Sequence, residues 1–221
     1  MVDGERTTIE TEGDPLPAYL ATADPGLEGR PATIVVQEYW GLVPHIEDVC
    51  HRLAAEGFTA VAPDLYRGHL AEEPDEARKL SMELDRDRAA GDLRAVVGWL
   101  LHRGASSVGA VGFCMGGGLV WMLAHTEDRL GAAVAFYGLS EVRGLRRRAP
   151  LLAHYGTADR FPPEQIEELR AQLASDGPPG EVVTYEDAPH AFFNDSRESY
   201  RPEAARAAWE RTLAFLRQHL T

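Results

Sequence analysis

The sequence predicts an α/β fold, a mostly parallel sheet with helices on both faces, and three observations lead to it. Short apolar runs alternate with amphipathic helical stretches along the whole chain, which is the pattern of strands joined by helical crossovers. Runs such as ATIVVQ at 32–37 and AAVAFY at 132–137 are continuously apolar, as strands covered on both faces are. The run at 108–113 breaks into GFCMGGG and resumes as an apolar helix, so a strand must turn sharply into a helix at Cys114.

Length and composition set bounds. The 221 residues show no internal repeat or linker and predict a single domain over 1–221, long enough to bury roughly 70% of its unfolded surface. Lys and Arg total 22 against 35 Asp and Glu, a net charge of −13, which argues against nucleic acid or an anionic membrane as partner. Neither a signal-type start nor an 18-residue apolar stretch is visible, so a cytoplasmic location is expected. Cys50 and Cys114 are the two cysteines, and both are expected to be reduced. No His, Cys or acidic cluster has metal-ligand spacing, so no metal is expected.

Residues 5–12 and 16–22 alternate polar and apolar side chains around Gly13, Asp14 and Pro15, a hairpin-like pair of half-exposed strands. After a Pro/Gly-rich turn at 24–31, the first buried strand at 32–37 ends on Glu38, Tyr39, Trp40 and Gly41, and ligands of open α/β sheets gather beyond such ends. A helical stripe at 46–56 stops at Gly57, and a strand at 58–62 closes on Pro63 and Asp64. The polar stretch 64–85, with a charged helix near 74–84, reads either as a flap over a site or as a solvated insertion. A helix at 88–103 leads to the glycine-rich turn, and beyond it come strands at 132–137, 151–155 and 181–186, with helices at 162–175 and 202–219. The arginine-rich segment 143–148 reads as a solvated face.

Gly112 and Gly116 flank Cys114 at the two positions where a nucleophile elbow has no room for a side chain. Such a turn lifts the sulfur beside the first N–H groups of a helix, which favour a thiolate and an adjacent oxyanion. By itself a cysteine is as readily a small core residue. Its partners decide the matter. Asp159 and His190 each follow a later predicted strand, in the order nucleophile, acid, histidine. Imidazole changes charge near neutral pH and takes a thiol's proton, while a carboxylate fixes its tautomer.

Five motifs in order resemble the dienelactone hydrolase (carboxymethylenebutenolidase) family of the α/β-hydrolase superfamily. They are Q-E-Y-W-G at 37–41, A-P-D-L-Y at 62–66, G-F-C-M-G-G at 112–117, the Asp159 segment G-T-A-D, and H-A-F at 190–192. The resemblance implies a Cys-His-Asp hydrolase of lactones or small carboxylic esters, working without cofactor through an acyl-thioester and often monomeric, with a weak homodimer as the other expectation. It places the nucleophile on Cys114, the base on His190, the orienting acid on Asp159, and the oxyanion hole on the backbone N–H groups of Tyr39 and Met115. Glu38 matches a glutamate implied to control ionisation of the nucleophile.

One position departs from the family pattern. Where the family's lactonases carry an arginine shortly after the histidine, this chain has Asn194, which has no charge with which to hold a substrate carboxylate. Arg78 is a candidate for a second such arginine. The sequence therefore predicts a more apolar pocket, lined by Tyr39, Trp40, Phe113, Tyr137, Phe161, Phe192 and Phe193 together with Asn194. A hydrolase of bulkier apolar esters or thioesters, and a non-hydrolytic ligand-binding or redox-responsive protein on the same fold, remain as alternatives.

Overall fold

A computed structural model describes residues 2–22, 27–140, 142, 145–175 and 177–221. One eight-stranded sheet runs β1(Asp3–Ile9), β2(Leu16–Thr22), β4(Thr59–Pro63), β3(Pro31–Val36), β5(Ser107–Phe113), β6(Leu130–Phe136), β7(Leu151–Gly156), β8(Gly180–Tyr185) from edge to edge. The first two strands form the expected hairpin, Ile9 opposite Leu16, and β2 pairs antiparallel with β4. From β4 to β8 every pairing is parallel. Part of the predicted 24–31 turn lies outside the described residues.

Two apolar layers cover the sheet, because successive side chains of a strand point to opposite faces. On one face Ile34, Val36, Val108 and Ala110 pack against α3(Arg86–His102), α4(Met115–Thr126) and α5(Pro163–Ser175) through Leu93, Leu119 and Leu169. On the other, Val35, Val111 and Phe113 pack against α1(Pro44–Ala55) and α6(Pro202–His219) through Val49, Leu53 and Leu216. The remaining helix, α2(Pro74–Glu83), buries only Ala77. That alanine and Leu80 pack on Trp40 and Tyr39, at the end of β3.

Strand order reverses direction at β3: its chain neighbour β4 lies to one side and β5 to the other. The carboxyl ends of β3 and β5 therefore flank the crevice where α/β sheets bind ligands. Glu38 and Tyr39 follow one of these strands, and Cys114 follows the other.

The arginine-rich segment departs from a simple solvated face. Arg147 is 2% exposed, and its guanidinium donates to the carbonyl oxygens of Leu173 and Pro178. Its neighbour Arg148 pairs with Asp128 at 2.7 Å, while Arg143 lies outside the described residues. A guanidinium can be buried there because backbone carbonyls replace water around it.

Candidate active site

Cys114 sits at the junction of β5 and α4 with φ 52° and ψ −113°, a backbone conformation that a residue bearing a side chain adopts only under strain. Its flanking glycines make the turn feasible. A Cβ at Gly112 would lie 2.2 Å from the carbonyl oxygen of Gly116, and one at Gly116 would lie 2.3 Å from that of Val36. Strand and helix therefore close to backbone contact, and Cys114 is left partly exposed above the sheet. Met115 is the first residue of α4, so its N–H has no partner within the helix.

His190 reaches the sulfur from the loop after β8. Its Nε2 lies 3.2 Å from Cys114 Sγ, and its Nδ1 lies 3.0 and 2.9 Å from the two carboxylate oxygens of Asp159. The Asp159 side chain is fully buried, and the imidazole is 29% exposed. Burial works to lower the proton affinity of the imidazole, but the Asp159 carboxylate and then the Cys114 sulfur overcome it and hold the pKa at about 9. Two further contacts bring acid and histidine together: Ala158 N–H donates to the Ala188 carbonyl at 3.1 Å, and Asp187 N–H to Thr157 Oγ1 at 2.9 Å. Gly156 allows this approach, since a Cβ there would fall 1.8 Å from the Ala188 oxygen.

The 37–41 and 62–66 motifs fasten to each other. Gln37 Oε1 accepts from Leu65 N–H at 3.1 Å, and Asp64 holds its own turn by accepting from the N–H groups of Tyr66 at 3.1 Å and Gly68 at 2.6 Å. Tyr66 then donates its hydroxyl towards both the Tyr39 carbonyl and Met115 Sδ, each at 3.3 Å. One phenol thus bridges the two residues expected to form the oxyanion hole. Part of the 64–85 stretch is accordingly built into the site, and Asp64, Leu65 and Tyr66 are buried.

Two cavities meet at Tyr39, Cys114 and His190. One, about 450 Å³, is bordered by α2 and contains Met82, Phe161 and the arginines Arg78, Arg86 and Arg160. The other, about 470 Å³, is lined by Glu38, Trp40, Arg197, Glu198 and Ser199 as well. The Arg197 guanidinium stacks on Trp40 at 3.8 Å. Of the predicted pocket residues, Tyr39, Trp40 and Phe161 line these cavities, and the others do not.

Phe113, Tyr137, Phe192 and Phe193 are at most 1% exposed and belong to the layer under α1 and α6. Phe113 stacks on Phe136 at 4.8 Å and on Phe193 at 5.3 Å. Asn194 is also buried, below the cavity wall, where it donates to Glu38. Cavity polarity differs from expectation for the same reason: the aromatic side chains turn inward and arginines take the walls. Arg160 follows the acid directly, and Arg197 lies in the loop after the histidine. Neither position belonged to a motif, and only the folded loops reveal them.

A strand-to-helix elbow at the crevice of this sheet, with imidazole and carboxylate in line behind it, defines the site of an α/β-hydrolase. The sequence profile described as "Dienelactone hydrolase family" matches residues 16–220. A Yersinia pestis protein named "Putative carboxymethylenebutenolidase" is 36% identical, covering 96% of this chain and 87% of that protein. Its namesake in Escherichia coli strain K12 is 34% identical, covering 96% and 86%. A Klebsiella pneumoniae crystal structure described as "Putative Dienelactone Hydrolase" superposes with TM-score 0.88 at 32% identity over 99% of both chains. The chain belongs to the dienelactone hydrolase family, a family of hydrolases and esterases.

Proposed function

We propose that this protein is a cysteine hydrolase of lactones or carboxylic esters that works through an acyl-thioester on Cys114. The observation that carries this reading is the unbroken chain from Cys114 Sγ through His190 to the buried Asp159, with contacts of 3.2 and 2.9 Å. A thiol in that position loses its proton to Nε2, and the resulting imidazolium is stabilised by the carboxylate behind it.

The sulfur attacks the carbonyl carbon, and the carbonyl electron pair moves to oxygen. The backbone N–H groups of Tyr39 and Met115 receive this oxyanion, where one such donor is worth about 3 kcal/mol of barrier. Collapse breaks the bond to the leaving oxygen, which takes the proton from His190 Nε2. Neutral His190 then removes a proton from water, the hydroxide adds to the thioester, and the sulfur departs with the acid released.

The arginine-lined cavity supports substrates that carry a negative charge near the reacting carbonyl. Arg78, Arg86 and Arg160 border it, and guanidinium groups pair with carboxylates in a fixed fork geometry. A glutarate-type aryl hemiester and its neutral methyl ester, compared at low salt, test this part: kcat/KM is expected to be higher for the charged one. Brief exposure to either ester should give an acyl adduct on Cys114 by mass spectrometry, and Cys114→Ala should abolish turnover. Turnover retained by that variant would remove the mechanism.

A further inference from the structure

A buried carboxylate beside the Cys114–His190 pair is held by two neutral donors outside the proton-transfer chain. Glu38 is 2% exposed. Its Oε1 accepts from the Tyr137 hydroxyl at 3.2 Å and its Oε2 from Asn194 Nδ2 at 2.8 Å. The Asn194 amide is fixed from its other end, where Oδ1 accepts from Ser196 N–H at 3.0 Å and from Ser196 Oγ at 2.6 Å. Flipping that amide would set donor against donor on the Ser196 side and acceptor against acceptor at Glu38. Burial, with Glu38 and Cys114 nearby, keeps the Tyr137 phenol protonated and hence a donor. Its ring in turn packs edge-on against the His190 imidazole, with centroids 5.0 Å apart.

We propose that Asn194 is a positioning residue that, together with Tyr137, holds the Glu38 carboxylate off the thiol, so that Cys114 and His190 stand paired before substrate arrives. The inference rests on Cys114 being the nucleophile. Glu38 lines the same cavity as Cys114 and His190, and a carboxylate turned onto an S–H group would accept its proton and oppose its ionisation. With both oxygens engaged elsewhere, the carboxylate does not compete with Nε2 for that proton. A neutral amide achieves this without placing a cation beside the pair.

The titratable and charged groups facing Cys114 come from several elements. His190, with Asp159 behind it, approaches from the loops after β8 and β7. Glu38 and Tyr39 follow β3, Tyr137 follows β6, and Tyr66 comes from the segment after β4. Across the two cavities stand Arg78, Arg86, Arg160 and Arg197, with the carboxylate of Glu198 beside Arg197 in the loop after the histidine.

The test is the pH profile of iodoacetamide alkylation at Cys114, read by mass spectrometry on the full chain, alongside ester turnover. Asn194→Asp retains the oxygen that Ser196 uses but loses the N–H given to Glu38. Its half-maximal alkylation is expected to move up by about one pH unit or more, with kcat falling about tenfold or more and KM nearly unchanged. Asn194→Ala should shift the profile in the same direction, and serves alone if the aspartate variant does not fold. Ser196→Ala, which removes one loop bond and leaves Glu38 untouched, should not move it.

In a Glu38→Gln background, Asn194→Ala should not shift the profile; the aspartate variant carries a charge of its own and is not used there. An unmoved profile in both Asn194 variants overturns the proposal. So does an equal shift in Ser196→Ala, or a shift in Asn194→Ala that persists without the Glu38 charge. Failure of the nucleophile reading is distinguishable, because Cys114→Ala would then keep its turnover.

Discussion

Replacing Asp159 by asparagine probes the charge arrangement behind the sulfur. The carboxylate is fully buried and bonds His190 Nδ1 through both oxygens, at 3.0 and 2.9 Å. In the folded protein the imidazole titrates at about 9 against an ordinary value of 6.5. A raised folded value means that the native state holds the proton more tightly than the unfolded chain. The resulting stability is fully present below pH 6.5 and is lost as pH rises through about 9. That interval is worth about 3 kcal/mol. Because Cys114 supplies part of it and the imidazole is partly exposed, the share due to Asp159 is on the order of 2 kcal/mol.

The Asp159→Asn variant keeps the shape of the side chain but not its charge. Urea unfolding of both proteins across this range should show their stability difference largest at the acid end. It should shrink by about 2 kcal/mol towards the alkaline end. A difference that stays constant across the range would show that the carboxylate does not hold the imidazolium, and the electrostatic account of the site would fail with it.

Other outcomes follow from the same geometry. For ester hydrolysis, kcat/KM should fall as pH rises through about 9, where the imidazole loses the proton it gives the leaving group; a pH–rate profile flat through that point would contradict the assignment. Gly156→Ala pushes a Cβ against the Ala188 carbonyl and should cost about 1–3 kcal/mol in urea unfolding, with kcat falling as Asp159 and His190 separate. Tyr66→Phe loses the hydroxyl that reaches Tyr39 and Met115; kcat should drop several-fold, the equivalent of about 1 kcal/mol, while KM for a small ester stays near its original value.

What the sequence disclosed depended on whether the determining interaction was local. Strands buried on both faces leave continuous apolar runs, so β3, β5, β6 and β7 were legible within a residue or two of their ends. The Cys114 elbow was legible because backbone contact at 2.2 and 2.3 Å excludes any side chain at Gly112 and Gly116, and that exclusion is written as glycine. Asp159 and His190 were legible because each closes a loop at a strand end, where chain order alone brings them to the same rim.

The cavity walls were not legible, because they depend on which face of a loop a side chain takes after folding. Phe113 and Cys114 are adjacent in sequence, yet one is 0% exposed under α1 and α6 and the other opens on the cavity. An aromatic-rich sequence around a site therefore does not predict an aromatic lining: the rings of Phe113, Phe136 and Phe193 pack on one another under the elbow. The polar walls come from segments with little apolar pattern to read, α2 and the loop carrying Arg197.

Asn194 shows the same limit from the other side. Considered alone it is a missing charge, and the expectation of a more apolar pocket followed from that. In the fold its amide points to Glu38 while the guanidinium groups at the cavities belong to Arg78, Arg86, Arg160 and Arg197, so on the proposed function anion recognition and control of the carboxylate would fall to different residues. A substitution at one motif position thus gives no reliable account of the charge of the site, because that charge is set by every loop meeting at the end of the sheet.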